Sequence, residues 1–475
     1  MTRRAADYFK KARKPRSEWK KLDDLTAQLA EFDLRCVAGD YDTAGVVLTE
    51  IDFDYLLLWG HYRLMIDLCK QIVIFIKNKM LLIRILNVLE TAYRETGDNR
   101  NSVNYIEQGL GIAKEIKNRQ AESALLGDLG LAYVHLGHTD KAIEFHEKAL
   151  MISREIADRE GEGRDLSNLG NIYADLGDNS KAIEYYEQAL VIAREVGNRQ
   201  DEGSDLNNLG NAYGELGDDH KAIEYYEQAL IIAREIGYRR NEGNHLINIG
   251  SKHANLGNFN QAIELYEQAL TITREIGNKS SESGALCNIG FGLLDLDNYK
   301  DAIDFFEDAI QVADEISHSS VQQIARHGLT NAYLFQNDLV DARATIDAAL
   351  RYDLPKNNHN ATALHGIIAL RQGDVSAAHQ SFTRAIAQAD EILAKTPDYY
   401  SALDAKGLAL CGLAVCRGGS RSARTQSVGS ARPEFDQDID SFRAARKIAP
   451  HAGAKRSSPC CGCSMNWSSA MKIMY

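Results

Sequence analysis

The chain has 475 residues, 44% of them hydrophobic, and a formal charge of −13. Residues 1–21 hold nine Lys/Arg against Asp7 and Glu18, and residues 417–475 hold ten against four acids, so the stretch between them is close to −26. An acidic body argues against a nucleic-acid groove, which needs cations to neutralise phosphates, and the most apolar region, residues 55–89, is too interrupted by charge for a membrane span.

In chain order, residues 1–21 read as a basic lead-in, a charged helix or solvated helix end broken at Pro15. No apolar core follows its basic residues, so no signal peptide is expected and a cytoplasmic location is. Residues 22–80 read as a helical capping segment. Within it Gly39 and Ala44 resemble the turn and second helix of the units downstream, and the aromatic-rich stretch around Trp59, His61 and Tyr62 is expected to pack on the first of them. All six prolines lie at Pro15 or from Pro355 onward, so residues 16–354 are free of helix breakers.

From residue 81 a forty-residue unit recurs. Seven copies fill 81–354, and the clearest runs from Gly161 to Gln200. Gly170, Tyr173, Gly177, Ala182, Tyr186 and Ala189 return as Gly210, Tyr213, Gly217, Ala222, Tyr226 and Ala229. Residues 355–450 read as degenerate units, with Gly366, Gly373, Ala378, Phe382 and Ala385 in the same order. A Ser/Arg/Gly-rich insertion at 416–434 reads as disordered, and the ninth unit resumes at DIDSFRAARKIAP. Residues 451–475 form an irregular tail with Cys460, Cys461 and Cys463. A soft-metal site there has no partner pair at finger-like spacing, and a non-native terminus is the simpler reading.

One unit explains itself. Leu166, Leu169, Ile172, Tyr173 and Leu176 fall at helical spacing and predict a first helix of about fourteen residues. Gly177, Asp178 and Asn179 supply a turn. Ala182, Ile183, Tyr186, Ala189, Leu190 and Ile192 form a second helix ending near Gly197. Gly170 and Ala182 let the two helices approach, and Tyr186 fills the gap with its hydroxyl expected to stay wet at the edge. A single hairpin leaves an apolar face bare, which the next hairpin covers. The fold class expected is therefore all-α, a right-handed superhelical solenoid of antiparallel helical hairpins.

The spacing Leu166, Leu169–Gly170, Tyr173, Ala182, Tyr186 resembles the tetratricopeptide repeat, with leucine where tryptophan is commonest and Arg194 where proline often ends the unit. Units of forty residues with REIGNR-like junctions resemble kinesin light chains, spindle-orientation adaptors and bacterial peptide-sensing regulators. Residues 29–68 also look like the helical segment between the NTPase module and the repeats of bacterial STAND-type signalling ATPases, although no GxxxxGK[ST] phosphate loop occurs in the chain.

The family resemblance implies a peptide groove along the first helices. Asn168, Asn208, Asn248 and Asn288 hold one recurring position there, with Asp128 before them, and Asn171, Asn211 and Ser251 hold a second one turn on. Carboxamides can pair with any peptide backbone, because each is donor and acceptor. The same residues could instead bond neighbouring helices. Arg164 lies one turn before Asn168, where it could meet a carboxylate of a ligand or of the chain itself. No catalytic constellation, metal site or cofactor motif is found: His146–Glu147 lacks a second histidine, and the five cysteines at Cys36, Cys69, Cys287, Cys411 and Cys416 read as reduced thiols in helices. The expected function is a non-enzymatic scaffold that takes a peptide segment of a protein partner, with no nucleic acid and no membrane. The alternative is the sensor half of a STAND-type NTPase whose ATPase module is absent from this chain.

Overall fold

The computed structural model describes residues 2–422 apart from 353, 356, 397 and 398, and of 400 and 417–422 it describes the backbone alone. Most of the Ser/Arg/Gly-rich insertion, the resumed ninth unit and the tail cysteines lie outside the described residues. Every regular element among the described residues is helical. Two compact units divide the chain, residues 1–205 and 206–475.

The first unit opens with α1 (Thr2–Lys11), α2 (Thr26–Val37), α3 (Tyr41–Thr49), a π-helical turn at Asp52–Leu57 and α4 (Tyr62–Ile72). Their core joins Leu25, Phe32, Leu48, Leu56 and Met65 to an aromatic group in which Tyr55 meets Trp19 and Trp59 edge to face at 4.8 and 5.5 Å. Hairpins follow: α5 (Lys79–Glu95) with α6 (Asn99–Glu115), α7 (Arg119–His135) with α8 (Thr139–Glu155), and α9 (Arg159–Asp175) with α10 (Asn179–Val196). α11 (Arg199–Glu215) comes next.

In the second unit α12 (Asp219–Glu235) is followed by α13 (Arg239–Asn255) with α14 (Phe259–Glu275), α15 (Lys279–Asp295) with α16 (Tyr299–Glu315) and α17 (Ser319–Phe335) with α18 (Leu339–Ala349). Last come α19 (Asn358–Arg371), α20 (Val375–Leu393) and α21 (Tyr400–Ser422). From α1 to α10 and from α12 to α21 each helix packs on its neighbours in sequence, and first helices also touch the next first helix, as α7 does α9 and α13 does α15.

The local chemistry sets these boundaries. Gly177 adopts φ 80°, which lets the Asp178 N–H reach the Tyr173 carbonyl at 2.9 Å and closes α9 in a Schellman turn. The Asp178 carboxylate then accepts from the Lys181 N–H at 3.1 Å and caps α10. The other end of the unit repeats this device at Gly197, φ 72°. Most first and second helices run to seventeen residues, longer than the fourteen expected for a first helix, because the junction residues join the following helix instead of remaining loop.

Candidate functional site

The central hairpins are locked by an aromatic ring against a glycine, whereas α5/α6 has Glu90 and Ile106 and α17/α18 has Thr330 and Ile346 at these positions. A methyl group at Gly170 would lie 2.5 Å from Tyr186 Cε1, and the same contact recurs at Gly210–Tyr226 and Gly250–Tyr266. Only a glycine admits the ring there, and Tyr186 is 3% exposed. Its hydroxyl is not left to water: it donates to the Asn171 Oδ1 at 2.8 Å. Tyr226 does the same to Asn211 at 2.6 Å, and Tyr266 to the Ser251 hydroxyl at 3.2 Å. Where the ring loses its hydroxyl, at Phe306, the facing position is Phe291, packed edge to face at 5.0 Å.

The first asparagine column holds one position in each of four first helices. Asn168, Asn208, Asn248 and Asn288 are all half-buried. Asn248 Nδ2 lies 3.4 Å from Asn207 Oδ1 within the second unit. In the first unit the corresponding Asp128 accepts from Asn87 Nδ2 at 3.2 Å. Arg164 is exposed on α9. Thus the structure ties Asn171, Asn211 and Ser251 to the tyrosines of their own hairpins, and sets Asn248 beside Asn207 of the preceding first helix.

Buried ionisable groups stand on the same first helices. Asp205 is 2% exposed and accepts from the Ser167 hydroxyl at 2.7 Å, and burial pushes its carboxyl up to about 7. Asp165 is raised by burial against the opposing pull of His146, whose Nδ1 lies 3.1 Å from its Oδ1. His245 takes the matching place on α13, where burial pushes its imidazole down to about 4. The recurring position that Ser167, Asn87 and Asn207 share was not singled out in the sequence, because its residue type changes from unit to unit.

A second set that sequence reading missed is a clamp at four unit junctions, at Glu162, Glu202, Glu242 and Glu282. Glu162, 7% exposed, accepts from Arg154 Nε at the end of α8 at 2.8 Å and from Arg159 in its own first turn at 2.5 Å. Glu202 holds Arg194 and Arg199 at 2.9 and 2.5 Å, and Glu282 holds Arg274 and Lys279 at 3.0 and 3.1 Å. Glu242 pairs in the same way with Arg234 and Arg239. Burial alone would raise the Glu162, Glu242 and Glu282 carboxyls, but their two cationic partners outweigh it and hold them below the ordinary glutamate range. The signal was present in the REIGNR-like junctions and the glutamate three residues after each one. Among the described residues no three His, Cys, Asp or Glu side chains gather as a metal site would require, and no helix is long and apolar enough to cross a membrane.

Comparison with known proteins agrees with this geometry. Tetratricopeptide repeat family models match residues 120–195, 163–235 and 201–275, and a further tetratricopeptide repeat model matches 328–400. The family model of anaphase-promoting complex subunit 5 matches 253–333. No curated protein matches the chain. Among solved structures, a signal transduction ATPase with numerous domains (STAND) with a tetratricopeptide repeat sensor, from Pyrococcus horikoshii, is similar at 17% identity and a TM-score of 0.56, over 74% of this chain. This chain spans 52% of that protein, about half its length. The apo form of the quorum sensor NprR from B. thuringiensis is similar at 13% identity and a TM-score of 0.51, covering 77% of this chain and 99% of its own. At these identities the likeness is one of fold. With glycine–aromatic hairpins recurring every forty residues and the repeat models matching across them, the chain is a tetratricopeptide repeat protein.

Proposed function

We propose that this repeat protein is a non-enzymatic interaction scaffold that holds an extended peptide segment of a partner protein along its first helices. The observation behind the reading is the half-buried carboxamide that recurs once per first helix at Asn168, Asn208, Asn248 and Asn288. A carboxamide at that depth can exchange hydrogen bonds with a peptide backbone whatever the side chains, and successive first helices repeat the offer. Asn171, Asn211 and Ser251 border the same face, and Arg164 adds a cation at its edge.

The test is affinity capture by the full chain against a variant with Asn168, Asn208 and Asn248 all replaced by alanine. The expected result is loss of the captured partner with an unchanged melting temperature. Capture that persists while the melting temperature falls would make the column structural and sink the proposal.

A second reading is favoured by the fold likeness to the STAND sensor. In it the array senses an effector and acts on a phosphate-loop ATPase module outside these 475 residues. Adding the chain to such a module and finding its ATP hydrolysis unchanged, with and without effector-rich extract, would remove it.

A further inference from the structure

One cleft on the first-helix side of the first unit differs from the rest. It has a volume of about 790 Å³ and lies where α3, α5 and α7 converge. Its walls are aliphatic: Val46 and Met80 stand at the rim, 48% and 52% exposed, and Leu81, Ile83 and Leu125 line the interior. Exposed apolar side chains gathered around a concave surface mark a contact site more often than they mark solvent.

Three charged residues line the cleft, and two are already engaged. Asp42 Oδ1 accepts the N–H groups of Lys77 and Asn78 at 2.9 and 3.2 Å. Arg84 Nη2 donates to the Thr49 carbonyl at 2.8 Å and lies 3.4 Å from Asp52 Oδ2. Asp128 is different, because among the described residues its hydrogen-bond partner is Asn87 Nδ2 alone, at 3.2 Å. A carboxylate accepts about four hydrogen bonds, so Asp128 keeps acceptor capacity in a cleft that it lines together with aliphatic and uncharged polar side chains.

We infer that this cleft is the subsite for a lysine or arginine side chain of the bound peptide, flanked by aliphatic residues, with Asp128 receiving the cation. The inference rests on the groove-binding reading above and names the chemistry of its ligand. The complementarity is one of both charge and shape. The methylene stem of a basic side chain would lie along Leu81, Ile83 and Leu125 while its head meets the carboxylate, and leucine-like neighbours would cover Val46 and Met80. Burial and the nearby Glu90 charge push the Asp128 carboxyl up to about 7, opposed by Arg164 and Arg94, so near neutrality an incoming cation must also displace the carboxyl proton. Glu90 does not compete for that cation, since Arg94 and the Ser102 hydroxyl hold it at 3.1 and 3.2 Å.

The test uses the full chain and three fluorescein-labelled nonapeptides of glycine and serine, differing at the centre: leucine–lysine–leucine, leucine–norleucine–leucine and leucine–glutamate–leucine. Fluorescence anisotropy should show the lysine peptide binding about ten-fold more tightly than the norleucine peptide, and the glutamate peptide weakest. Asp128→Asn should abolish the lysine preference while leaving norleucine binding in place, which also shows that the variant is folded. Asp128→Lys should turn the preference toward glutamate. Equal binding of the lysine and norleucine peptides by the natural chain overturns the inference while the groove reading stands. Absence of binding by all three peptides overturns the inference too, and the capture experiment then decides the groove reading separately.

Discussion

The Tyr186 hydroxyl donates to the Asn171 carboxamide at 2.8 Å, fifteen residues apart in sequence and across the two helices of one hairpin. The ring is buried while Asn171 lies exposed, so removing the carboxamide exchanges a protein hydrogen bond of the hydroxyl for one to water. Asn171→Ala should cost about 0.5–1.5 kcal/mol in urea denaturation. Tyr186→Phe in the same background should recover most of that loss. A double variant no more stable than Asn171→Ala alone would show that the bond contributes nothing.

The glycine beneath the same ring makes a stricter demand. Gly170→Ala sets a methyl 2.5 Å from Tyr186 Cε1, so the ring or the helix must shift. Overpacking of this kind costs about 1–3 kcal/mol even though alanine is the better helix former. Gly111→Ala is the control, because a methyl there meets nothing within 4 Å, and it should leave stability unchanged or slightly raised. Thermal denaturation of the two variants side by side checks the contrast.

The junction clamps should give the protein an acid-sensitive component. The folded Glu162, Glu242 and Glu282 carboxyls lie below their ordinary value, so their contribution is fully present above about pH 4.3 and is lost as pH falls through the depressed range. Their arginine partners are about half exposed, which keeps each clamp to roughly 1 kcal/mol. Urea midpoints between pH 3 and 6 should fall more steeply for the natural chain than for the Glu→Gln triple variant, and parallel curves would remove the clamps as the cause.

Asp205 should act in the opposite sense. Burial raises its folded pKa to about 7, so the folded state favours the protonated acid, and that favourable contribution is lost as pH rises through 7. Asp205→Asn keeps an acceptor for the Ser167 hydroxyl and removes the charge. The variant should be stabilised at pH 8 by about 1 kcal/mol or more relative to its effect at pH 5. Denaturation at the two pH values decides it, and an equal effect at both contradicts the assignment.

His327 and His359, buried in the second unit, predict a further acid step. Burial pushes both imidazoles down to about 4, and for His327 the neighbouring His359 adds to the shift. Both groups are neutral when folded, so the stability they permit is present above about pH 6.5 and is lost as pH falls toward 4. Replacing both by glutamine should flatten the urea midpoint across that interval, and an unchanged slope would exclude them.

The sequence by itself determined the all-helical hairpins and the repeat family. The leucine spacing, the glycine turns and the glycine facing an aromatic act within forty residues, so each copy states its own packing. It also showed that Asn168, Asn208, Asn248 and Asn288 recur at one position of the unit. Only the tertiary structure decided what those recurring polar residues touch. Asn171 differs from Asn168 in that its partner is the hydroxyl of its own hairpin's tyrosine, a contact set by the crossing of two helices and not by spacing along one. The REIGNR-like junction became a clamp only when the end of one second helix met the start of the next first helix and buried the glutamate between two cations. The acceptor capacity of Asp128 was likewise invisible in the chain, since it depends on three helices enclosing an aliphatic cleft around one carboxylate. Local periodicity fixes the backbone, whereas a polar side chain takes its role from which neighbour arrives within 3 Å and how much water is excluded when it does.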